Sequence, residues 1–303
     1  MDIQLEPGSY VVAVSGGVDS AALLHFLYAK NLAVASGKPK SRLIVAHFDH
    51  GIRPDSAEDR KLVQAIAQAY GLQFVYDEGK LGPQASEASA RYSRYKFLRT
   101  VQKASKSRAI ITAHHQDDLI ETAILNILRG TGRKGLTALS SRPSLLRPAL
   151  GIPKQALIDY ANDKGLVWHE DSTNNDPKYL RNYVRHYLLP KVDEQSKQKL
   201  RDIIAKLQQQ NFELDNILVN LLHQQSKIGK IDRSWFNHLP HSVAKEVMAT
   251  WLRAHDRTQV NRRGLEKLVI AAKVAQPGKI FPLSKDHSLK VGTKYLALAN
   301  TER

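Results

Sequence analysis

Along the first 112 residues, solidly apolar runs alternate with stretches whose apolar residues recur at helical spacing. Tyr10–Val14, Leu43–His47, Gln73–Tyr76 and Ala109–Thr112 read as strands. Ala21–Ala29, Ser56–Tyr70 and Ser86–Ala104 read as the helices between them. In the second of these Ser56 offers a cap, Asp59 follows three residues on, and Gly71 stops the helix. Strands that are apolar throughout and joined by helices imply an α/β fold with a parallel sheet covered on both faces.

Beyond residue 112 the pattern changes. A helix is predicted over Asp117–Leu128, closed by Arg129-Gly130-Thr131-Gly132, with a Gly- and Ser-rich loop to Ser141. Pro153 opens a further helix that Gly165 closes. Residues 168–180, WHEDSTNNDPKYL, are turn-prone, and RNYVRHYLLP reads as helical up to Pro190. From Leu200 to Leu222 apolar positions such as Ile204, Leu207, Leu214, Leu218 and Leu221 keep a helical period. This predicts a catalytic-sized unit over 1–195, a linker helix over 196–225 and a smaller, basic, mostly helical unit over 226–303 with a β-like end, LKVGTKYLALA. The pattern leaves a homodimer contact on the long helix open.

Composition narrows the class. With 303 residues, 42% hydrophobic and 24% charged, the chain has a soluble globular balance and length for about two domains. No apolar run approaches the roughly 20 residues that span a bilayer, and MDIQLEPGSY has no signal-peptide pattern, so a cytoplasmic protein without a membrane partner is expected. The formal charge is +16, and residues 191–303 hold 20 Lys and Arg against 11 Asp and Glu. Such a surplus attracts polyanions, nucleic acid above all. The chain has no cysteine, which excludes disulfides, thiolate zinc sites and a cysteine nucleophile within it.

Three polar clusters end three of the predicted strands: Ser15-Gly16-Gly17-Val18-Asp19-Ser20, His47-Phe48-Asp49-His50-Gly51, and Ala113-His114-His115-Gln116-Asp117-Asp118. Open parallel sheets bind ligands beyond the carboxyl ends of their strands, so the three clusters argue for one site. In SGGVDS, two glycines allow a tight turn and close backbone approach. Successive N–H groups and the following helix N-terminus then favour an anion. Ser15 and Ser20 add hydroxyls, while Asp19 would repel a phosphate unless a cation lies between. The Walker pattern GxxxxGK[ST] is absent. His114, His115, Asp118 and Glu121 could by spacing also be read as a transition-metal set. His25 and His186 carry no motif and read as structural or surface residues, and Trp168, Trp235 and Trp251 as core.

SGGVDS after an apolar strand resembles the pyrophosphate-binding loop of the N-type ATP pyrophosphatases. The blocks HFDHGIR (47–53), EASARYSRYKFL (87–98), AHHQDDLIETAILNILRGTGRKGL (113–136), RPALGIPK (147–154) and EDSTNNDPKYLRNYVR (170–185) resemble, in order, those of the tRNA(Ile)-lysidine synthetase family, in its short form. Thiolase relatives need cysteines for sulfur transfer or a cluster, and none is present; a free amine such as lysine fits as nucleophile.

The resemblance implies an adenine-nucleotide α-hydrolase-like, Rossmann-like N-terminal domain using ATP and Mg²⁺. It implies ligation of L-lysine to C2 of cytidine 34 in the CAU anticodon of tRNA(Ile), through an adenylated cytidine, with release of AMP and pyrophosphate. It makes Ser15, Gly16, Gly17, Val18, Asp19, Ser20 and His50 ATP-binding residues. Asp19, Arg91, Arg94, His114 and Asp118 become catalytic candidates, with Asp19 and Asp118 as Mg²⁺ ligands. Arg91 and Arg94, at i, i+3, are expected to stabilise charge on the α phosphate, and Glu121 to cap or orient its turn. Arg181 and Arg185 are implied to meet the RNA, with pairing to Asp171 or Asp176 as the structural alternative. Two other readings stand beside this one: another tRNA-modifying enzyme of the superfamily, and a non-catalytic nucleic-acid-binding protein.

Overall fold

A computed structural model of the chain describes residues 3–34, 40–51, 56–79, 81–82, 85–169, 180–227, 229–255, 260–284 and 287–300. The run Tyr10–Val14 forms β1 (Ser9–Ala13), the centre of a five-stranded sheet. β2 (Arg42–Asp49), β3 (Gln73–Glu78), β4 (Ala109–Ile111) and β5 (Leu145–Leu146) complete it in the order β3-β2-β1-β4-β5. All pairs are parallel, with Val11 opposite both Ile44 and Ile110. β5 has only two residues and lies in what the sequence suggests is loop, so its pattern carries no period to detect.

Alternation along β1 and β2 sends side chains to two cores. Val11, Ile44 and Ala46 pack with Tyr95, Leu98 and Val101 of α3 (Glu87–Ala104). Tyr10, Val12, Leu43 and Val45 pack with Leu23, Leu24 and Leu27 of α1 (Val18–Leu32) and with Val63 and Ala67 of α2 (Ser56–Ala69). Each fully buried aliphatic side chain here contributes about 1.5–3 kcal/mol. Ser86 caps α3, its side chain accepting from the Ser89 N–H at 3.2 Å. α4 (Gln116–Leu128) follows β4, then the single turn α5 (Arg133–Leu136). α6 (Lys154–Asp163), with Pro153 at its N-cap, packs Leu157 and Ala161 against Ala22 of α1.

The segment RNYVRHYLLP is helical but not uniformly so. α7 (Leu180–Tyr183) passes into a π turn over Val184–Leu188, where the Leu189 N–H reaches the Val184 carbonyl five residues back, and then into a 3₁₀ turn, Leu189–Lys191.

α8 (Glu194–Gln225) is longer than its apolar stripe. The chain divides into compact units 1–207 and 208–303, so the boundary falls within this helix. Leu200 joins Ile120 and Val184 in the first unit, whereas Leu214, Leu218 and Leu222 join the core around Trp251 in the second. That second unit holds α9 (Arg233–His238), α10 (His241–Ala254) and α11 (Arg262–Val274). It also holds an antiparallel sheet in the order β6-β7-β10-β9-β8: β6 (Ser226–Lys227), β7 (Lys230–Asp232), β8 (Ile280–Pro282), β9 (His287–Val291) and β10 (Tyr295–Asn300). The β-like end is thus two strands of five, the other three being too short to show alternation. Arg233 ties helix to sheet, donating to the carbonyls of Ala272 at 3.1 Å and Gly292 at 3.0 Å. No helix among the described residues is long and apolar enough to cross a membrane.

Trp251 is 2% exposed in the second core. Trp251→Ala is expected to lower unfolding stability by about 3–5 kcal/mol, read as a shifted midpoint in urea.

Candidate active site at the carboxyl ends of β1, β2 and β4

The strand order reverses between β1 and β4, and such a reversal opens a crevice beyond the carboxyl ends. A cavity of about 610 Å³ lies there, within the range that holds nucleotide-sized ligands. Ser15, Gly17, Val18, Asp19, Ser20, His50, Arg94, His114, Asp118 and Arg185 all line it.

The turn after β1 is held by its own serines. The Ser15 N–H donates to Ser20 Oγ at 3.1 Å, and the Ser20 hydroxyl donates to the Gly17 carbonyl at 2.9 Å. Gly16 has φ +99°, where an L side chain would be strained, and an added Cβ would come 3.3 Å from Asp59 Cβ. Gly17 differs. Its φ of −79° suits any residue, and an added Cβ would meet nothing nearer than Ser15 Oγ at 3.7 Å. A side chain at Gly17 would intrude only on the cavity, which is what close approach of a ligand phosphate to the backbone requires. Asp19 follows, with Oδ1 buried and without a hydrogen-bond partner among the described residues. A buried, unpaired carboxylate oxygen is costly, and a hard cation such as Mg²⁺ or a ligand amine satisfies it. The loop therefore fits a phosphate chain, and Asp19 fits its counter-cation.

A line of alternating charge runs beside this turn. His115 Nε2 lies 3.6 Å from Asp19 Oδ2 and 3.4 Å from Asp118 Oδ2. Asp118 Oδ2 accepts the His115 backbone N–H at 3.0 Å, which fixes the start of α4. Arg185 grips Glu121 with two bonds, 2.7 Å from Nε and 2.9 Å from Nη2, and reaches Asp118 Oδ1 at 3.5 Å. Burial opposes charge on His115, yet Asp19 and Asp118 hold its pKa above the usual value. Burial likewise opposes charge on Asp118, but His115, His114 and Arg185 hold its carboxyl below the usual range. Burial lifts the pKa of Glu121 against the pull of Arg185. His114 is the opposite case to His115. Burial, helped by the charges of Arg147, Arg94 and Arg91, pushes it down to about 3 against the pull of Asp118, so the ring is neutral at physiological pH. Its Nδ1 bonds the Thr112 hydroxyl at 2.8 Å.

Two expected neighbours are separated. Arg94 lines the cavity, whereas Arg91 lines an adjoining groove, the two guanidinium groups lying 5.6 Å and 5.0 Å from the Tyr95 ring centre. Arg181 lines neither; its Nε is 3.5 Å from Glu87 Oε1. Asp171 and Asp176 lie outside the described residues, and Arg185 pairs with Glu121 and Asp118.

Several wall residues escaped the sequence reading. Lys154, in the first turn of α6, brings an ammonium that the loop lacks. Asp59, expected as part of a cap, bonds His169 Nδ1 at 2.9 Å, while the His169 N–H bonds the Gly16 carbonyl at 3.0 Å. His47 bonds the Val14 carbonyl through Nδ1, with Nε2 buried and without a hydrogen bond among the described residues. His186, expected to be structural or surface, also faces the cavity. Lys154 and His47 at least stand inside the quoted blocks; nothing in the sequence separates Asp59 and His169 from ordinary polar positions.

Glu121 is 1% exposed, so Arg185→Ala strands a buried carboxylate. The expected cost is about 3–5 kcal/mol of unfolding free energy by urea denaturation, with a smaller loss for Arg185→Lys.

A PP-loop domain model matches residues 3–192. A tRNA(Ile)-lysidine synthase of Exiguobacterium sibiricum is 38% identical over 198 residues, covering 64% of this chain and 45% of that protein. One from Idiomarina loihiensis is 28% identical over 294 residues, covering 90% of this chain and 63% of that protein. This chain spans about half the length of the first curated relatives it matches. Among solved structures, the U34-tRNA thiolase NcsA of Methanococcus maripaludis with its [4Fe-4S] cluster aligns with a TM-score of 0.54, covering 67% of this chain and 73% of that one at 17% identity, a likeness of fold. The turn that would cradle a phosphate chain, its place at the strand-order reversal and the matched span of 190 residues agree, and the chain belongs to the PP-loop domain family.

Proposed function

We propose that this chain ligates the ε-amine of L-lysine to C2 of the anticodon cytidine of tRNA(Ile), consuming ATP. The observation that carries the reading is the convergence of Asp19, Arg94, His114 and Asp118 with the SGGVDS turn on one cavity, in a chain whose relatives bear the name tRNA(Ile)-lysidine synthase. The absence of cysteine favours an amine over a sulfur nucleophile.

In the first step cytidine O2 attacks the α phosphorus of ATP and pyrophosphate leaves. In the second the lysine amine, having lost a proton, attacks C2, and AMP departs with the oxygen. The backbone of the SGGVDS turn would bind the phosphate chain. Asp19, with Asp118 beside it, would hold Mg²⁺, whose chemistry is to screen phosphate charge and orient the departing pyrophosphate. Arg94 supplies fixed positive charge on the opposite wall. We assign His114 the Nε2–H tautomer, with Nδ1 accepting from Thr112, so that it donates to a phosphate oxygen as a neutral group. Lys154 would act as a further phosphate contact. Arg185 holds Asp118 and Glu121 in place. The basic unit 208–303 would bind the tRNA mainly through phosphates.

Incubation with ATP, Mg²⁺, labelled lysine and a tRNA(Ile) transcript bearing the CAU anticodon is expected to place label in the RNA and release AMP and pyrophosphate. A transcript with uridine at position 34 should take up none. RNA that stays unlabelled in the first case refutes the reading. Asp19→Asn is expected to lower turnover at least about 100-fold with the fold intact by circular dichroism.

A further inference from the structure

The second concavity of the N-terminal unit, about 680 Å³, lies on the far side of α3 from the Arg94 wall. Six cations line it: Arg91, Lys96, Arg99 and Lys103 from α3, and Arg142 and Arg147 from the segment that flanks β5. No acidic residue lines it, and among the described residues none of the six makes an ion pair with a carboxylate. Arg147 is the unusual member. It is 5% exposed, it donates to the Ser140 carbonyl, and its Nε is buried without a hydrogen-bond partner among the described residues. A guanidinium taken out of water without a counter-ion is costly, and the neighbouring Arg91 and Arg142 add like charge. An anion relieves both costs. Along α3 the cations run from Arg91 to Lys103, about 18 Å of helix axis, the length of several consecutive phosphates on a strand. Tyr92, 70% exposed on the same wall, offers an aromatic face beside them.

We propose that this groove is a binding site for the phosphodiester backbone of an RNA strand, with Arg147 as its buried anchor and Tyr92 as a base-stacking platform. The proposal rests on the reading that the chain acts on tRNA, and adds the path by which the strand passes α3. Because α3 carries Arg94 into the ATP-sized cavity and Arg91 into the groove, a strand lying in the groove would run alongside the reacting site.

The test is tRNA(Ile) transcript binding by the full chain across about 50–300 mM salt, with ATP affinity measured in parallel. Arg99→Glu/Lys103→Glu, both exposed positions, should weaken tRNA binding at least about tenfold and reduce the salt slope by about 1–2, leaving ATP affinity unaltered. Arg147→Gln should weaken tRNA binding likewise, and Tyr92→Ala should do so at unchanged salt slope. An unaltered tRNA affinity and slope in the double variant overturns the groove while leaving the proposed reaction standing. No tRNA binding by the unsubstituted chain overturns both. If the double variant loses affinity for inorganic pyrophosphate but none for tRNA, the groove is a free-phosphate site and the RNA assignment fails.

Discussion

A ladder of opposite charges, Asp19 to His115 to Asp118 to Arg185 to Glu121, links α1, α4 and the π turn at 184–188 beneath the cavity. Hydrophobic packing would hold these elements together but would not fix their rotation. The ladder does, because its inner members are too buried to be left without their neighbours. It sets the start of α4 through the His115 N–H, and it keeps Asp118 ionised despite burial. It also explains how two adjacent histidines behave differently. His115 faces carboxylates and is favoured as a cation, whereas His114 faces arginines and is favoured as a neutral ring.

The helix α3 divides the positive charge of this unit into two compartments. Arg94 and Arg91 are three residues apart, a spacing that suggests one shared surface. Tyr95 lies against both guanidinium groups, and they diverge to opposite concavities. The single chemistry implied by their spacing thus becomes two, one directed at the cavity and one at the groove.

The parallel sheet was legible because β1, β2 and β4 are buried on both faces and therefore apolar at nearly every position. β3 is largely exposed at the sheet edge, and only its short apolar start betrayed it. β5 to β8 escaped because two or three residues cannot display a period. At the site, residues at strand ends were readable as clusters. Lys154, Asp59 and His169 were not, since each reaches the cavity from a separate helix or loop and has an ordinary role available where it stands. The separation of Arg91 from Arg94 depends on what lies on either side of α3, which helical spacing alone does not contain.

The π turn has a consequence of a different kind. An extra residue in one helical turn shifts the angular phase of everything after it, so Arg185 and His186, adjacent in sequence, can both face the cavity while Tyr183 and Tyr187 stack on the outside. Such a segment tolerates exchanges of side chain on its outer face far better than any change in its length. Removing a single residue would restore regular winding and rotate the ladder's arginine away from Glu121. The reach of this stretch is therefore counted in residues: it is open to substitution and closed to insertion and deletion.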